Sequence, residues 1–365
     1  MERAWSISIL FFCISLVCNA QSVRNDTVSM VFVGDIMQHT SQLENALECG
    51  GDSSYDYSSY FKYTRPYLES ADIAVANMEF TVGVRPYTGY PCFSAPESLA
   101  AEASKNGIGL FLTANNHICD KGRKGLDSTM AIYGRNGWKY TGIYPDSSSE
   151  RINNPEIIDI KGIKVAFINF TFGTNGNRIP DGYVVNVADT ASIAAALKRA
   201  AEDSADMIVA LPHWGTEYST SPCKVQTALE KFLYSHGVDI IIGSHPHVVE
   251  PVSVSRDSLT GSIKHITFFS LGNFISNMSA KYTRIGALAI VKVVKWDNGG
   301  GIEILQPEVH YLWCCKAGKL EKGYTVAPIS YLLENCKSIL PEEEYFKIES
   351  EWEQLGKELN LTYNK

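Results

Sequence analysis

The sequence predicts an α/β protein built on a two-layered sheet core. Three observations carry that expectation. Short apolar strands alternate with helical stretches up to residue 242, strands follow one another without a helix over 248–310, and the earlier strands break off in polar groups rich in His, Asp, Glu and Asn. Residues 28–33, Val-Ser-Met-Val-Phe-Val, read as a buried strand that stops at Gly34-Asp35. A helical pattern covers 58–70, and a short strand over 72–76 runs into Asn77. A loop rich in Pro and Gly fills 81–96, after which Pro96-Glu97 opens a helix reaching Asn106. Residues 108–113 form the next apolar strand, and a helix over 123–136 follows the polar cluster 114–122.

Lys161-Gly162 between 156–160 and 164–170 signals a hairpin. Helix 189–203, strand 207–211, helix 223–236 and strand 238–242 come next. Beyond them, 248–255, 263–270, 285–296 and 302–310 read as strands. The stretch 329–358 reads as helical. Pro341 followed by three glutamates marks a helix start, with acid in the first turn where the macrodipole favours it, and Tyr345, Ile348, Trp352 and Leu355 recur at packing intervals. No polar linker divides the chain. Residues 21–328 are therefore expected to form one domain, with 329–365 as a helical tail packed on it.

The 365 residues are 45% apolar and 20% charged, a globular composition long enough for a sizeable core. A net charge of −8 argues against a nucleic-acid partner, since phosphate-backbone binding is driven by basic residues. Ile7–Val17 is an apolar run of eleven residues, too short to span a bilayer and followed by Cys18-Asn19-Ala20. Residues 1–20 thus read as a secretory signal with Gln21 as the mature start. The expectation is an exported protein, periplasmic, envelope-bound or extracellular, without a transmembrane segment after cleavage. Seven of the nine cysteines then remain, an odd number, so at least one thiol is unpaired. Cys314-Cys315 read as a core thiol beside a bridge partner, and Cys119 as a buried small residue.

Polar clusters follow the strands at Gly34-Asp35, Asn77-Met78-Glu79, Asn115-Asn116-His117, His213-Trp214-Gly215 and Gly243-Ser244-His245-Pro246-His247. Strand carboxyl ends gather at one edge of an α/β sheet, where sites are built. Four of the eight histidines fall in these clusters, and His39 lies four residues after Asp35. Any one cluster can be a turn or a satisfied polar group; together they indicate a metal site. His236, His265 and His310 lack such company and read as structural. Imidazoles, carboxylates and an amide oxygen without thiolates suit Mn²⁺, Fe²⁺ or Zn²⁺. The set exceeds the needs of one tetrahedral ion and fits two adjacent ones.

At these residues the sequence resembles the CapA-type poly-γ-glutamate capsule biosynthesis family, a branch of the calcineurin-like metallophosphoesterase superfamily. The motifs are G-D-I-M at 34–37, N-M-E at 77–79, A-N-N-H-I-C-D-K-G at 114–122, H-W-G-T-E-Y at 213–218, G-S-H-P-H-V at 243–248 and S-L-G-N-F at 270–274. The resemblance implies the calcineurin-like fold, with Asp35 and His247 on a first metal, Glu79 bridging, and Asn116, His213 and His245 on a second. It implies His117 as the group that protonates the leaving oxygen, with Asp120 beside it. Asp120 and Glu217 would orient imidazoles, with Asn77 in the same supporting shell. Relatives carry a histidine where this chain has Met37, so either His39 reaches back to replace it or one ion binds weakly or not at all.

The function implied is an exported metal-dependent hydrolase of phosphoesterase type, using metal-activated hydroxide, in capsule or exopolymer biosynthesis. Its partners would be a phosphoester or anionic polymer substrate and cell-envelope assembly proteins. The alternative is a non-catalytic, metal-containing accessory protein that binds an acidic exopolymer.

Overall fold

The computed structural model describes residues 25–51, 53–296 and 301–361. The segment read as a signal, 1–20, lies outside the described residues, as do Cys13 and Cys18.

Two sheet halves form the centre. In the first, β1 (Asn25–Ile36), β2 (Ile73–Met78), β3 (Ile108–Leu112) and β4 (Lys139–Thr141) run parallel. In the second, β5 (Glu156–Ile160) and β6 (Ile163–Thr171) form the expected hairpin, and β7 (Met207–His213) and β8 (Ile240–Ile242) continue parallel to β6. Next come β9 (Val252–Arg256), β10 (Ile263–Phe268), β11 (Asn273–Ile275), β12 (Ile285–Trp296), β13 (Gly301–Ile304), β14 (Glu308–Cys315) and β15 (Thr325–Pro328). Strand β12 lies antiparallel to β1 and β14, extending the first half, whereas β8, β10 and β9 complete the second. Strand β13 pairs with both β12 and β10 and so makes the hydrogen bonding continuous.

Side-chain alternation turns this into layers. Met30 and Phe32 of β1 and Val75 of β2 face Val165, Phe167, Val209 and Ile266 in one inner core. The intervening Val31, Val33, Ala74 and Ala76 pack outward against Leu99 and Ala103 of α2 (Glu97–Lys105; α1 is Thr40–Cys49) and Ile132 and Tyr133 of α3 (Gly122–Asn136). Ala166, Ile168, Ile208 and Ala210 pack on α4 (Thr190–Glu202) and α5 (Lys224–Ser235). The two-layered sheet core flanked by helices is thus observed. Among the described residues no helix is long and apolar enough to cross a membrane.

Several boundaries differ from expectation for local reasons. Only Arg65–Glu69 of the stretch 58–70 is helical, the rest being turns. The strand expected over 302–310 divides at Pro307, which has no N–H to give a ladder. The tail divides at Pro341 into α6 (Ile329–Asn335) and α7 (Glu342–Glu358), and α7 buries Tyr345, Ile348 and Leu355 in the inner core. The expected bridge at Cys314-Cys315 is absent, and the seven described cysteines are free. The two neighbours point to opposite faces of β14, Cys314 toward the helices and Cys315 toward the inner core, so they belong to different packing environments. Cys119 is buried as a small apolar residue.

Candidate functional site

The polar strand ends meet because the parallel strands of both halves point the same way. Strand β1 ends where its backbone touches the turn before β11: Asp35 N donates to Gly272 O at 3.0 Å. A side chain at Gly34 could not fit, since its Cβ would lie 1.9 Å from the Gly272 carbonyl oxygen. The glycine therefore lets two chain segments approach closely enough to bring Asp35 beside the His-Pro-His loop.

Asp35 is fully buried. Its Oδ1 accepts from Asn77 Nδ2 at 2.7 Å, and its Oδ2 accepts from His245 N at 3.2 Å and lies 3.4 Å from His247 Nδ1. Asn77 in turn accepts from Asn115 Nδ2 at 3.1 Å, and Asn115 Oδ1 accepts from His117 N at 3.2 Å. An amide relay thus spaces the ends of β1, β2 and β3. Glu79 is also fully buried, with Oε1 3.9 Å from His213 Nε2 and 3.7 Å from His247 Nε2. The His213 ring sits between Ser244 Oγ, 2.9 Å from Nδ1, and Asn116 Oδ1, 2.8 Å from Nε2. His245 packs on Phe172 and His213, with ring centroids 4.4 and 4.8 Å away.

His245 and His247 have φ of 99° and 60°, and Tyr218 beside them 65°. Such left-handed backbone costs non-glycine residues energy, and strain of this kind gathers at functional sites.

Electrostatics follow from burial. Burial and neighbouring His245 hold His213 well below the usual imidazole range, and burial with His247 brings His245 down to about 3. Both are neutral at ordinary pH, the form that donates a lone pair. Burial opposes charge on His247 as well, but Glu79 and Asp35 outweigh it and raise this imidazole to about 9. Burial and the Asp35 charge push Glu79 well above the carboxylate range.

A divalent ion fits this donor set. Both Glu79 oxygens and His245 Nδ1 are buried without a hydrogen-bond partner, an arrangement costly in a protein interior unless a cation satisfies it. Donor atoms of Glu79, His245 and His247 lie within 4.8 Å of one another, as do those of Asp35, Glu79 and His213. Asn116 Oδ1 adjoins the second group through His213.

His117 stands beside this centre. Its Nδ1 hydrogen bonds to Asp120 Oδ2 at 2.8 Å, Phe93 packs edge-on against it, and Asn175 Nδ2 lies 3.5 Å from Nε2. Asp120 is fixed by Phe93 N at 2.7 Å and Asn177 Nδ2 at 3.3 Å. His117, Asp120, His247, Met37 and Glu217 line one cavity of about 620 Å³.

Of the two alternatives raised by Met37, the reach of His39 into the donor groups is not observed. His39 is the N-cap of α1, with Gln42 Oε1 3.1 Å from its Nδ1 and accepting from its backbone N–H; Asn277 N also donates to Nδ1. Burial lowers it to about 4. It reaches the cavity wall but joins neither group of converging donors. His236, His265 and His310 lie elsewhere, against Phe232, Tyr234 and Tyr67.

The sequence motifs contain Ser244 and Asn273 without marking a role for them, and Asn175 and Asn177 lie outside every motif. Asn273 Oδ1 accepts from His247 Nδ1 at 3.0 Å, which leaves Nε2 free toward Glu79. Its signal was present, a polar residue directly after a strand in S-L-G-N-F. Asn175 and Asn177 sit on a loop without such a pattern.

The description "Bacterial capsule synthesis protein PGA_cap" matches residues 29–278. The chain is 28% identical over 292 residues to the "Capsule biosynthesis protein CapA" of Bacillus anthracis, covering 76% of this chain and 66% of that relative, just under two thirds of its length. It is 27% identical over 311 residues to the "PGA biosynthesis protein CapA" of Bacillus subtilis (strain 168), covering 80% and 74% respectively. Among solved structures, a Staphylococcus aureus protein assigned as a 5′-nucleotidase shares the fold at 13% identity, with a TM-score of 0.51 over 90% of this chain and 58% of that one. The chain belongs to the bacterial capsule synthesis PGA_cap family.

Proposed function

We propose that this chain is an exported, divalent-metal-dependent phosphoester hydrolase of capsule or exopolymer biosynthesis. The observation that carries this reading is the set of unpaired, buried donors of Glu79 and His245 beside the cavity that His117 and Asp120 line. By the converging donor atoms, Glu79, His245 and His247 would hold one ion, and Asp35, Glu79 and His213, with Asn116 adjoining, a second, a different sharing of Asp35 and the histidines from the one that the resemblance implies. Bound there, the ions supply an acidified water and offset charge developing on phosphoryl oxygens. Asp120 holds the Nδ1 proton of His117, so the imidazolium form would carry its second proton on Nε2, pass it to the departing oxygen and be left as the neutral ring still bonded to Asp120. Asn273 and Asn77 keep His247 and Asp35 in position. Export rests on the reading of residues 1–20, and envelope assembly proteins are the partners that it entails.

The accessory-binder alternative draws less support. Among the described residues that line the cavity there is no Lys or Arg to meet an acidic chain. The test is turnover of bis(p-nitrophenyl) phosphate and p-nitrophenyl phosphate by metal-loaded protein. Metal-dependent release of p-nitrophenol is expected. A fully metallated protein that cleaves neither, nor a γ-glutamyl amide, yet binds an acidic polymer would establish the binder instead.

A further inference from the structure

We propose that the cavity accepts phosphoesters whose arm beyond the reacting phosphoryl group is uncharged or cationic, with Glu217 excluding anionic arms; this rests on the hydrolase reading of the same site. The lining supplies two carboxylates, Asp120 and Glu217, and no Lys or Arg among the described residues. Asp120 is occupied by His117, Phe93 N and Asn177. Glu217 is exposed at the wall, where its charge acts on His247 and Glu79. Lys316 lies outside the lining, its ammonium bonded to Ser279 Oγ at 2.7 Å, and its charge acts on His39 at one side of the cavity.

The position of Glu217 is built into the backbone. Gly215 has φ of 100° and Tyr218 of 65°, and Tyr218 N donates to Pro246 O at 2.8 Å, which pins this turn to the His-Pro-His loop. The turn thus holds the Glu217 backbone beside the His-Pro-His loop and the cavity, with left-handed strain at Tyr218. Tyr90 and Tyr218, 73% and 49% exposed, add aromatic surface there. An arm packed on those rings meets the Glu217 carboxylate, whose charge repels a carboxylate and tolerates a methyl or an ammonium group.

The test compares three unreactive diesters on metal-loaded, full-length protein: methyl propyl phosphate, methyl 3-aminopropyl phosphate and methyl 2-carboxyethyl phosphate. Calorimetry is expected to rank the carboxylate weakest by about tenfold or more against the amine, with the gap narrowing at high salt. In Glu217→Gln that gap should shrink, and in Glu217→Lys it should reverse. Equal or tighter binding of the carboxylate, failure of all three to bind, or an unchanged gap in Glu217→Gln would overturn the proposal. Turnover is read separately on the p-nitrophenyl counterparts. No turnover with the binding order intact defeats the hydrolase reading and leaves the charge selection standing.

Discussion

His117 and Glu250 illustrate two uses of a buried titratable side chain. His117 touches the cavity but is absent from both groups of converging donors, so His117→Ala should lower kcat by roughly 10²–10⁴-fold while metal content holds. Turnover paired with elemental analysis checks this; loss of metal together with rate would make His117 a ligand. Glu250 lies outside the cavity lining and outside both groups of converging donors. Its Oε2 accepts from Gln226 Nε2 at 2.6 Å, its Oε1 is buried without a partner, and burial raises the carboxyl to about 7. A folded-state value above the unfolded one means that the stability contributed is complete below the ordinary carboxylate range and drains as pH rises through about 7. Glu250→Gln should therefore match the parent near pH 4 and exceed it at pH 8, by at most about 3 kcal/mol from a shift of that size. Denaturant titrations at the two pH values measure the difference; a gap that is equal at both would contradict the burial argument.

At the scale of an element, the first turn of the last helix is anchored by a buried charged cluster in addition to its apolar face. Arg284 of the segment before β12 reaches Glu344 in the first turn of α7 with both terminal nitrogens, donates from Nε to Cys314 O at 2.9 Å, and lies 4.3 Å from the Trp313 ring. Trp313 Nε1 also donates to Glu344, at 2.9 Å, and the charged pair is only 5% exposed at each side chain. Removing one partner strands a buried charge, so Glu344→Ala should cost roughly 3–5 kcal/mol, far more than an exposed pair such as Arg178–Asp181. Urea unfolding of the two variants compares them directly. The apolar spacing of Tyr345, Ile348 and Leu355 made this helix legible in the sequence, because a helix face is a local, periodic property. The Arg284–Glu344 pair was not legible: its partners lie 60 residues apart and acquire meaning only once β12, β14 and α7 are stacked. Helix α1 was missed as well, since its start depends on the His39–Gln42 cap rather than on an apolar run.

For the molecule as a whole, a bound metal would be coupled to stability through Asp35 and Glu79, both fully buried at the junction of the two sheet halves. An ion present at about a hundred times its dissociation constant adds roughly 2.7 kcal/mol to the folded state. Chelation should thus lower Tm by several degrees, and in Glu79→Gln the response to chelator should largely vanish. Thermal melts with and without chelator test this, alongside metal analysis of His245→Ala and, as a control, His236→Ala. A melting temperature indifferent to chelator would remove the metal from the account. The layered α/β architecture was readable from sequence because strand and helix periods are local, and Asp35, Glu79, Asn116, His117, His213, His245 and His247 stood out as candidates because each lies at the end of an apolar strand or within a few residues beyond it. Sequence alone also marked the family, through six motifs in order. What only the tertiary structure decided is which of these groups meet. Gly34 against Gly272, the left-handed His245 and His247, the Asn273 bond to His247 and the turn holding Glu217 are contacts between segments far apart in the chain, fixed by packing one sheet half on the other. The same packing turned His39 into a helix cap, because a side chain four residues from a site goes where its own backbone leads it, not where the chemistry has a gap.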